Sequence, residues 1–583
     1  MPVADDPRRL ADGIALIAGQ ARAAALYSSV PLSFWGGVDP RTGEIIDRHH
    51  PLQGQSLKGR ILAIPRGRGS CTGSSVLLEL ILNGAGPAGI VIAEADEIIA
   101  LGVLVAALMF DRSIPVFCVG QEAFAALAEA DVLAMDGTRL TVIGAHDEAS
   151  WLLPNDSTRQ RPMDLTDRDR AMLAGDHGRA RQFAMQLMVG MARLFGASEF
   201  IDVSQAHIDG CIYTGPASLR FAEQLLAWGG RVAVPTSLNA ISVDRRRWRE
   251  LGVAPAFGEQ ADRLGQVYLE LGARPTFTCA PYLLDSAPEF GDQIVWGESN
   301  AVAFANSVLG ARTLKYPDYL DICAALVGRG PLVGPHTSAG RRGRIRIDVT
   351  LPQGADDSLF PLLGHHLGAL CGATIPVICG LAESRPTTDD LKAFAAAFAT
   401  TGAAPMFHIV GVTPEAPTLA DALGGLEPER HLAVGPADLL EVWREFNGHG
   451  GGQAVEVISL GNPHLSLAEC EAIAGLCEGR RRAEGTRLML TMGRKVHEDA
   501  LAAGWIEAIE RFGGTIITDT CWCMIETPVI PESARTLMTN SGKYAHYGPG
   551  LTRRAVRFGS LAACLDAAVT GQFSPQPPDW LIA

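Results

Sequence analysis

Along most of this chain, short unbroken apolar runs rich in Ile, Val and Leu alternate with longer stretches whose apolar positions recur three and four residues apart. The first pattern belongs to strands buried on both faces, the second to helices laid against a sheet. Between Arg60 and about Ile143 it predicts strands at Arg60 to Ile64, Ala88 to Glu94 and Ile114 to Val119. Helices are predicted at Ser74 to Asn83, Leu101 to Phe110 and Gln121 to Glu129. Asp136-Gly137 is a hairpin signal, so this region reads as one α/β unit with mixed strands.

A polar, proline-containing stretch, Asp147 to Asp167, predicts a linker. Beyond it Asp169 to Phe195 reads as one long helix. Strand signals follow at Arg231 to Val234, Ile345 to Val349, Thr374 to Ile378, Met406 to Val410, Val455 to Leu460 and Arg487 to Thr491. Between them fall helical patterns such as Ala261 to Leu271, Leu359 to Leu370, Asp389 to Thr400, Ala437 to Phe446, Leu465 to Cys477 and Glu498 to Phe512. The expected fold class is α/β. A small domain spans residues 1–150, and a large domain of several subdomains with mainly parallel sheets spans 165–583.

Composition narrows the function. The chain has 583 residues, 47% hydrophobic and 19% charged, which describes a buried globular protein. A formal charge of −15 argues against nucleic acid or an anionic membrane as partner. Met1 to Arg9 is polar with no uninterrupted apolar core after it, and Ile98 to Phe110 is too short to span a bilayer. A cytoplasmic protein is therefore expected. Its 12 cysteines read as reduced thiols or metal ligands rather than disulfides.

Polar residues cluster after the apolar runs, where open α/β sheets bind their ligands. Thr278-Cys279-Ala280-Pro281-Tyr282 follows Ala273 to Phe277. Gly461-Asn462-Pro463-His464 follows Val455 to Leu460, Asp519-Thr520-Cys521 follows Thr515 to Thr518, and Asn540-Ser541-Gly542-Lys543 follows Leu537-Met538. Upstream, Gly67 to Ser75 lies between a strand and a helix. Its glycines and the helix N-terminus suit an anion, though the same pattern describes a turn with Ser74 or Ser75 as helix cap.

Cys279 and Cys521 are candidate thiolate ligands of iron or zinc. Cys523 forms a C-x-C with Cys521, and Cys323 lies on the predicted helix Tyr319 to Val327. Cys118, Cys371, Cys379, Cys470, Cys477 and Cys564 fall in apolar or helical runs and read as buried hydrophobes, while Cys211 and Cys323 are intermediate, with Cys323 the better candidate. His207 and His464 sit in polar loops. Glu298-Ser299-Asn300 opens the helical Ala301 to Leu309, and Lys543 reads either as a carboxylate clamp or as a surface lysine.

Taken in order, Ser204 to Gly210, Pro235 to Asn239, Thr278 to Tyr282, Glu298 to Arg312, His408 to Ala416, Asp519 to Cys521 and Asn540 to Lys543 resemble the aconitase X family in its fused bacterial form. The segment around Gly69-Ser70 and Gly86 to Ala93 resembles its swivelling domain, a separate subunit in archaeal members. The resemblance implies an aconitase-like large domain and a hydro-lyase needing no partner subunit. Fused members are cis-3-hydroxy-L-proline dehydratases that form Δ1-pyrroline-2-carboxylate; archaeal ones are mevalonate 5-phosphate dehydratases.

It also implies an iron–sulfur cluster or iron. Where archaeal members carry a cysteine between Gly461 and Pro463, this chain has Asn462, which favours a 2Fe–2S cluster or mononuclear iron over a cubane. Cys279 and Cys521 match family ligands, with Cys323 as the expected third. Ser70 is the implied base and Cys71 its rival. Cys71, Thr72, His207, Asn300 and Ser541 would line the imino-acid substrate, with Lys543 and Ser541 holding its carboxylate. Arg66 and Arg68 would stabilise an ionised Ser70. Three other readings compete: a mevalonate 5-phosphate dehydratase, an electron-transfer iron–sulfur protein and a non-catalytic sensor of imino acids.

Overall fold

The computed structural model describes residues 8–10, 13–145, 148–154, 162–448 and 452–582. The polar residues 1–7 and residues 155–161 of the expected linker lie outside them. The chain forms two compact units. The first comprises Met1–Ile201, Thr214–Ala233 and Pro317–Leu332; the second comprises Asp202–Tyr213, Val234–Tyr316 and Val333–Ala583. The compact N-terminal unit therefore extends past residue 150 and takes in the helices Asp167–Ala174, Arg179–Phe195, Pro216–Ala227 and Leu320–Val327.

The first unit is built on a nine-stranded mixed sheet. Gly19–Tyr27, Ile61–Ile64, Gly89–Ile92 and Val116–Cys118 lie side by side in parallel, and Gly19–Tyr27 also starts an antiparallel meander through Val132–Gly137, Arg139–Ile143 and Glu148–Leu152. The hairpin expected at Asp136-Gly137 is present. Every residue of Ile61–Ile64 and Gly89–Ile92 is buried, because each face of the sheet is covered. Leu62, Ile64, Ile90 and Ile92 pack on one side with Val76, Leu77 and Leu80 of the helix Gly73–Asn83. Ile61, Ala63 and Val91 pack on the other with Phe124, Leu127 and Trp151.

The second unit carries three parallel sheets. Their strand orders are Thr236–Leu238, Ala206–Ile208, Val295–Trp296; then His408–Ile409, Pro376–Cys379, Ile345–Val349, Arg430–Val434; then Gly514–Ile517, Arg487–Met492, Val457–Leu465, Thr536–Thr539, Ala555–Phe558. Helices Leu359–Cys371 and Thr388–Thr401 pack through Gly364 and Gly368, where an added Cβ would stand 2.4 Å from the carbonyl oxygens of Phe394 and Phe398.

Four expectations change. The helix expected over Asp169 to Phe195 is two, broken where Gly175 and Gly178 take φ of 95° and 90°. The helix expected over Glu498 to Phe512 divides at Gly504, into Arg494–Ala502 and Trp505–Phe512. The strand expected at Arg231 to Val234 forms instead at Thr236–Leu238, beyond Pro235. Ala273 to Phe277 forms no strand: it meets Thr236–Leu238 through Arg274 N–H to the Thr236 carbonyl (2.8 Å) and Thr278 N–H to the Leu238 carbonyl (3.0 Å), and between them the Thr276 hydroxyl, not a backbone group, meets Leu238 N–H at 2.8 Å. Among the described residues no helix is long and apolar enough to cross a membrane.

Candidate active site

The three-stranded sheet of the second unit sets the site's floor. His207 pairs in register with Ser237 on one side and Trp296 on the other. Side chains repeat on one face every second residue, so Asp209, Asn239 and Glu298 continue that face at the carboxyl ends. All three are buried and joined: one Asn239 side-chain amide nitrogen donates to Asp209 and, at 3.0 Å, to Glu298 Oε2.

Glu298 is the hub. Its Oε1 accepts from Lys543 Nζ at 2.9 Å and from Asn300 Nδ2 at 2.8 Å. Burial alone would raise the Glu298 carboxyl, but the Lys543 charge and the bonds from Lys543 and Asn300 outweigh it and hold it at about 2. Burial opposes the Lys543 ammonium as well, yet Glu298 and the neighbouring thiols keep its pKa well above the ordinary value. The pair is thus ionised at neutral pH, and Lys543 is a fixed cation rather than a base. It stands in the first turn of the helix Gly542–Thr552, whose cap is Ser541, accepting from Tyr544 N–H at 3.1 Å. Asn300 is fully engaged, since Nδ2 also donates to the Cys279 carbonyl at 3.2 Å and Oδ1 accepts from Tyr282 O–H at 3.0 Å.

Beside this network lie three thiols. The Cys279 side chain, ahead of burial, pushes the Cys521 thiol well above its usual range, and Cys521 does the same to Cys523. Asn462 Nδ2 donates to Cys523 Sγ at 3.2 Å, and His464 N–H to Cys279 Sγ at 3.3 Å. Asn462 therefore stands against the thiols, at the position where the resemblance puts a cysteine, and its Oδ1 is buried with no hydrogen-bond partner among the described residues. Soft sulfur donors with one spare oxygen suit iron or an iron–sulfur cluster. Cys323, the expected third ligand, falls in the first unit on Leu320–Val327, fully buried near Asp321. In the second unit the third thiol is Cys523, and Trp522–Met524 is a 3₁₀ turn rather than a strand.

Gly461 to His464 lies inside the strand Val457–Leu465 rather than after it, at a shift of register following Leu460. Gly461 takes φ of 95°, and an added Cβ would sit 2.1 Å from the Thr491 carbonyl oxygen, so only glycine fits. His464 is a tie rather than a free base, with Nδ1 at 3.2 Å from Thr278 Oγ1 and Nε2 at 2.8 Å from the Thr520 carbonyl.

His207 is wholly buried. Its Nδ1 is 2.8 Å from Ser237 Oγ, and Nε2 has no hydrogen-bond partner among the described residues. Burial pushes His207 down to about 3, and burial with Arg341 and Arg312 does the same to His336. Below the ordinary value of 6.5 the unfolded chain takes up these protons and the folded chain does not. Stability is therefore complete above pH 6.5 and is lost as pH falls toward 3, by about 1.4 kcal/mol per pH unit per histidine. Denaturant midpoints measured from pH 7.5 downward should show that slope, and His336→Gln should make it shallower.

In the first unit, Ser70 lies just before the helix Gly73–Asn83. Thr72 N–H points to Ser70 Oγ at 3.3 Å, with Thr72 Oγ1 at 3.1 Å. Gly69 makes the turn at φ 82°. Neither expected serine caps the helix; Ser74 donates to the Cys71 carbonyl and Ser75 to Asp318 Oδ2 at 2.7 Å. Arg68 is committed to Asp47 at 2.6 Å and to the Pro31 carbonyl, so its charge is already neutralised. Arg66 lies 4.0 Å from Glu94. Cys71 is fully buried.

Several parallel sheets with polar groups gathered at their strand ends make this an α/β protein, and the chain belongs to the aconitase X family. The swivel domain of that family matches residues 10–143, its first domain 162–339, its second 343–444 and its third 455–570. All four thus occur in one chain, and the protein is a dehydratase, a hydro-lyase, as expected. It is 53% identical over 570 residues to the cis-3-hydroxy-L-proline dehydratase of Pseudomonas aeruginosa, covering 97% of each chain. It is 50% identical over 576 residues to the cis-3-hydroxy-L-proline dehydratase of Hypocrea jecorina, covering 98% of this chain and 97% of that one. The crystal structure of Thermococcus kodakaraensis aconitase X in its holo-form superposes with a TM-score of 0.63 at 32% identity, over 70% of this chain and all of that one.

Proposed function

We propose that the protein dehydrates cis-3-hydroxy-L-proline to Δ1-pyrroline-2-carboxylate with the help of an iron or 2Fe–2S centre. The observation that carries this reading is the end-to-end likeness to two fused dehydratases of that substrate. The buried Lys543–Glu298 pair and the adjoining thiols supply the matching chemistry.

The elimination needs three things from the chain. The substrate carboxylate must be held, a base must take the C2 proton, and the C3 hydroxyl must leave with the C3–O electron pair as the C2–H pair becomes the C2=C3 double bond. Lys543 keeps its ammonium at neutral pH and, with Ser541, holds the carboxylate. Asn300 acts through Glu298, fixing the carboxylate that keeps Lys543 in place. Ser70 takes the proton as its alkoxide, an anion that Thr72 N–H and the positive end of the helix Gly73–Asn83 stabilise before the transfer, and the proton then passes to the departing hydroxide. Cys71 and Thr72 complete that turn. Cys279, Cys521 and Cys523, with Asn462 beside them, would hold the iron centre. When bound it supplies Lewis acidity, which lowers the cost of expelling hydroxide. Water departs, the resulting enamine tautomerises to the cyclic imine, and no oxidation occurs.

Iron removal tests the cofactor part. Anaerobically purified protein should lose turnover when a ferrous or ferric chelator strips it, and regain it on reconstitution. Full activity after iron falls below a few hundredths of an atom per chain (about 0.05, against the several kcal/mol a Lewis acid contributes) would remove the metal from the reaction.

A further inference from the structure

The two loops that carry the three thiols share an unusual entry. Cys279 comes two residues after Phe277, and Cys521 two residues after Asp519. Both preceding residues are fully buried and left-handed, with φ of 41° and 67°, a conformation that non-glycine side chains rarely adopt. Such backbone persists only where its surroundings impose it.

One side chain touches both. Arg494 forms a two-pronged ion pair with Asp519, Nε to Oδ1 at 2.6 Å and Nη2 to Oδ2 at 2.8 Å. The same guanidinium lies over the Phe277 ring, 5.1 Å from its centre. Arg245 completes the arrangement: its guanidinium is 5.4 Å from the Phe277 ring centre and its backbone N–H donates to Asp519 Oδ2 at 3.3 Å. The Asp519 carbonyl accepts from Ile241 N–H at 2.7 Å. Among the described residues Arg494 makes no hydrogen bond to Cys279, Cys521 or Cys523.

We propose that Arg494 is a positioning residue, a clamp between the two loops that sets the separation of the Cys279 and Cys521 sulfurs and so the geometry of the metal centre. The inference rests on the reading of those thiols as ligands. A planar fork is needed, because it must pair with a carboxylate along its edge and cover a ring with its face at once; lysine can do neither in that geometry.

The test uses the full chain reconstituted anaerobically with iron and sulfide as wild type, Arg494→Lys, Arg494→Gln and Lys495→Gln. Lys495 is the adjacent half-exposed residue paired with Asp499, and serves as control. Iron retention against a chelator and the visible and EPR spectra are read, with far-UV circular dichroism for folding. Both Arg494 variants should hold iron about 10–100-fold less tightly, the range for losing a group that orients a ligand. Their spectra should be altered, while Lys495→Gln matches wild type. Should Arg494→Gln fail to fold, Arg494→Lys decides. Wild-type retention and spectra in the Arg494 variants overturn the clamp alone. A wild-type protein that takes up no iron overturns the metal reading and the clamp with it.

Discussion

Ser70→Ala should leave a folded, substrate-binding enzyme whose turnover is lower by about 10²–10⁴-fold, the usual contribution of a positioned base. The hydroxyl makes no bond in the first unit that stability depends on; it accepts one N–H at 3.3 Å and meets the Thr72 hydroxyl at 3.1 Å. The melting temperature should therefore hardly move. Exchange of the C2 hydrogen with solvent deuterium, followed by NMR, should stop along with product formation. Cys71→Ser provides the contrast. Cys71 is fully buried, and turnover in that variant should persist if Ser70 is the base. Loss of exchange in Cys71→Ser but not in Ser70→Ala would transfer the role to the thiol.

The second large effect concerns the buried ion pair. Removing one charge strands the other in a low-dielectric interior, so Glu298→Gln or Lys543→Met should each destabilise the protein by about 3–5 kcal/mol. Both should also abolish turnover, since Lys543 is then missing or released from its place. The double variant Glu298→Gln with Lys543→Met leaves no buried charge unpaired, and should recover most of the lost stability while remaining inactive. That split between stability and activity separates a pair kept for substrate binding from one that merely holds the fold. Activity in the double variant would contradict the carboxylate clamp.

Much of the fold was legible because parallel strands buried on both faces leave unbroken apolar runs, as at Ile61–Ile64 and Ile345–Val349. Errors arose where local punctuation competed with apolar period. Gly175 and Gly178 lie within a pattern that reads as continuous helix, and the chain obeys the glycines. The family assignment and dehydratase chemistry followed from short motifs in the right order, and the full-length likeness supports both. The site was legible only in its parts. Cys279, Cys521 and Lys543 stood out as polar residues after apolar runs. The hub role of Glu298 did not, because its partner Lys543 lies on a helix far along the chain and nothing local marks the pair. Asn239 was quoted only as part of a motif; its bridging of two carboxylates needs three strands to end at the same level. Cys523, legible as a C-x-C with Cys521, falls in the second unit with Cys279 and Cys521, while Cys323 on its apolar helix falls in the first.

The most direct measurement is anaerobic incubation of iron-replete enzyme with cis-3-hydroxy-L-proline, trans-3-hydroxy-L-proline and mevalonate 5-phosphate in parallel, following Δ1-pyrroline-2-carboxylate and, for the last, its anhydro product. The account predicts rapid formation of the cyclic imine from the cis isomer and none from the other two. Turnover of mevalonate 5-phosphate, or none of any substrate by enzyme shown to contain iron, would contradict it.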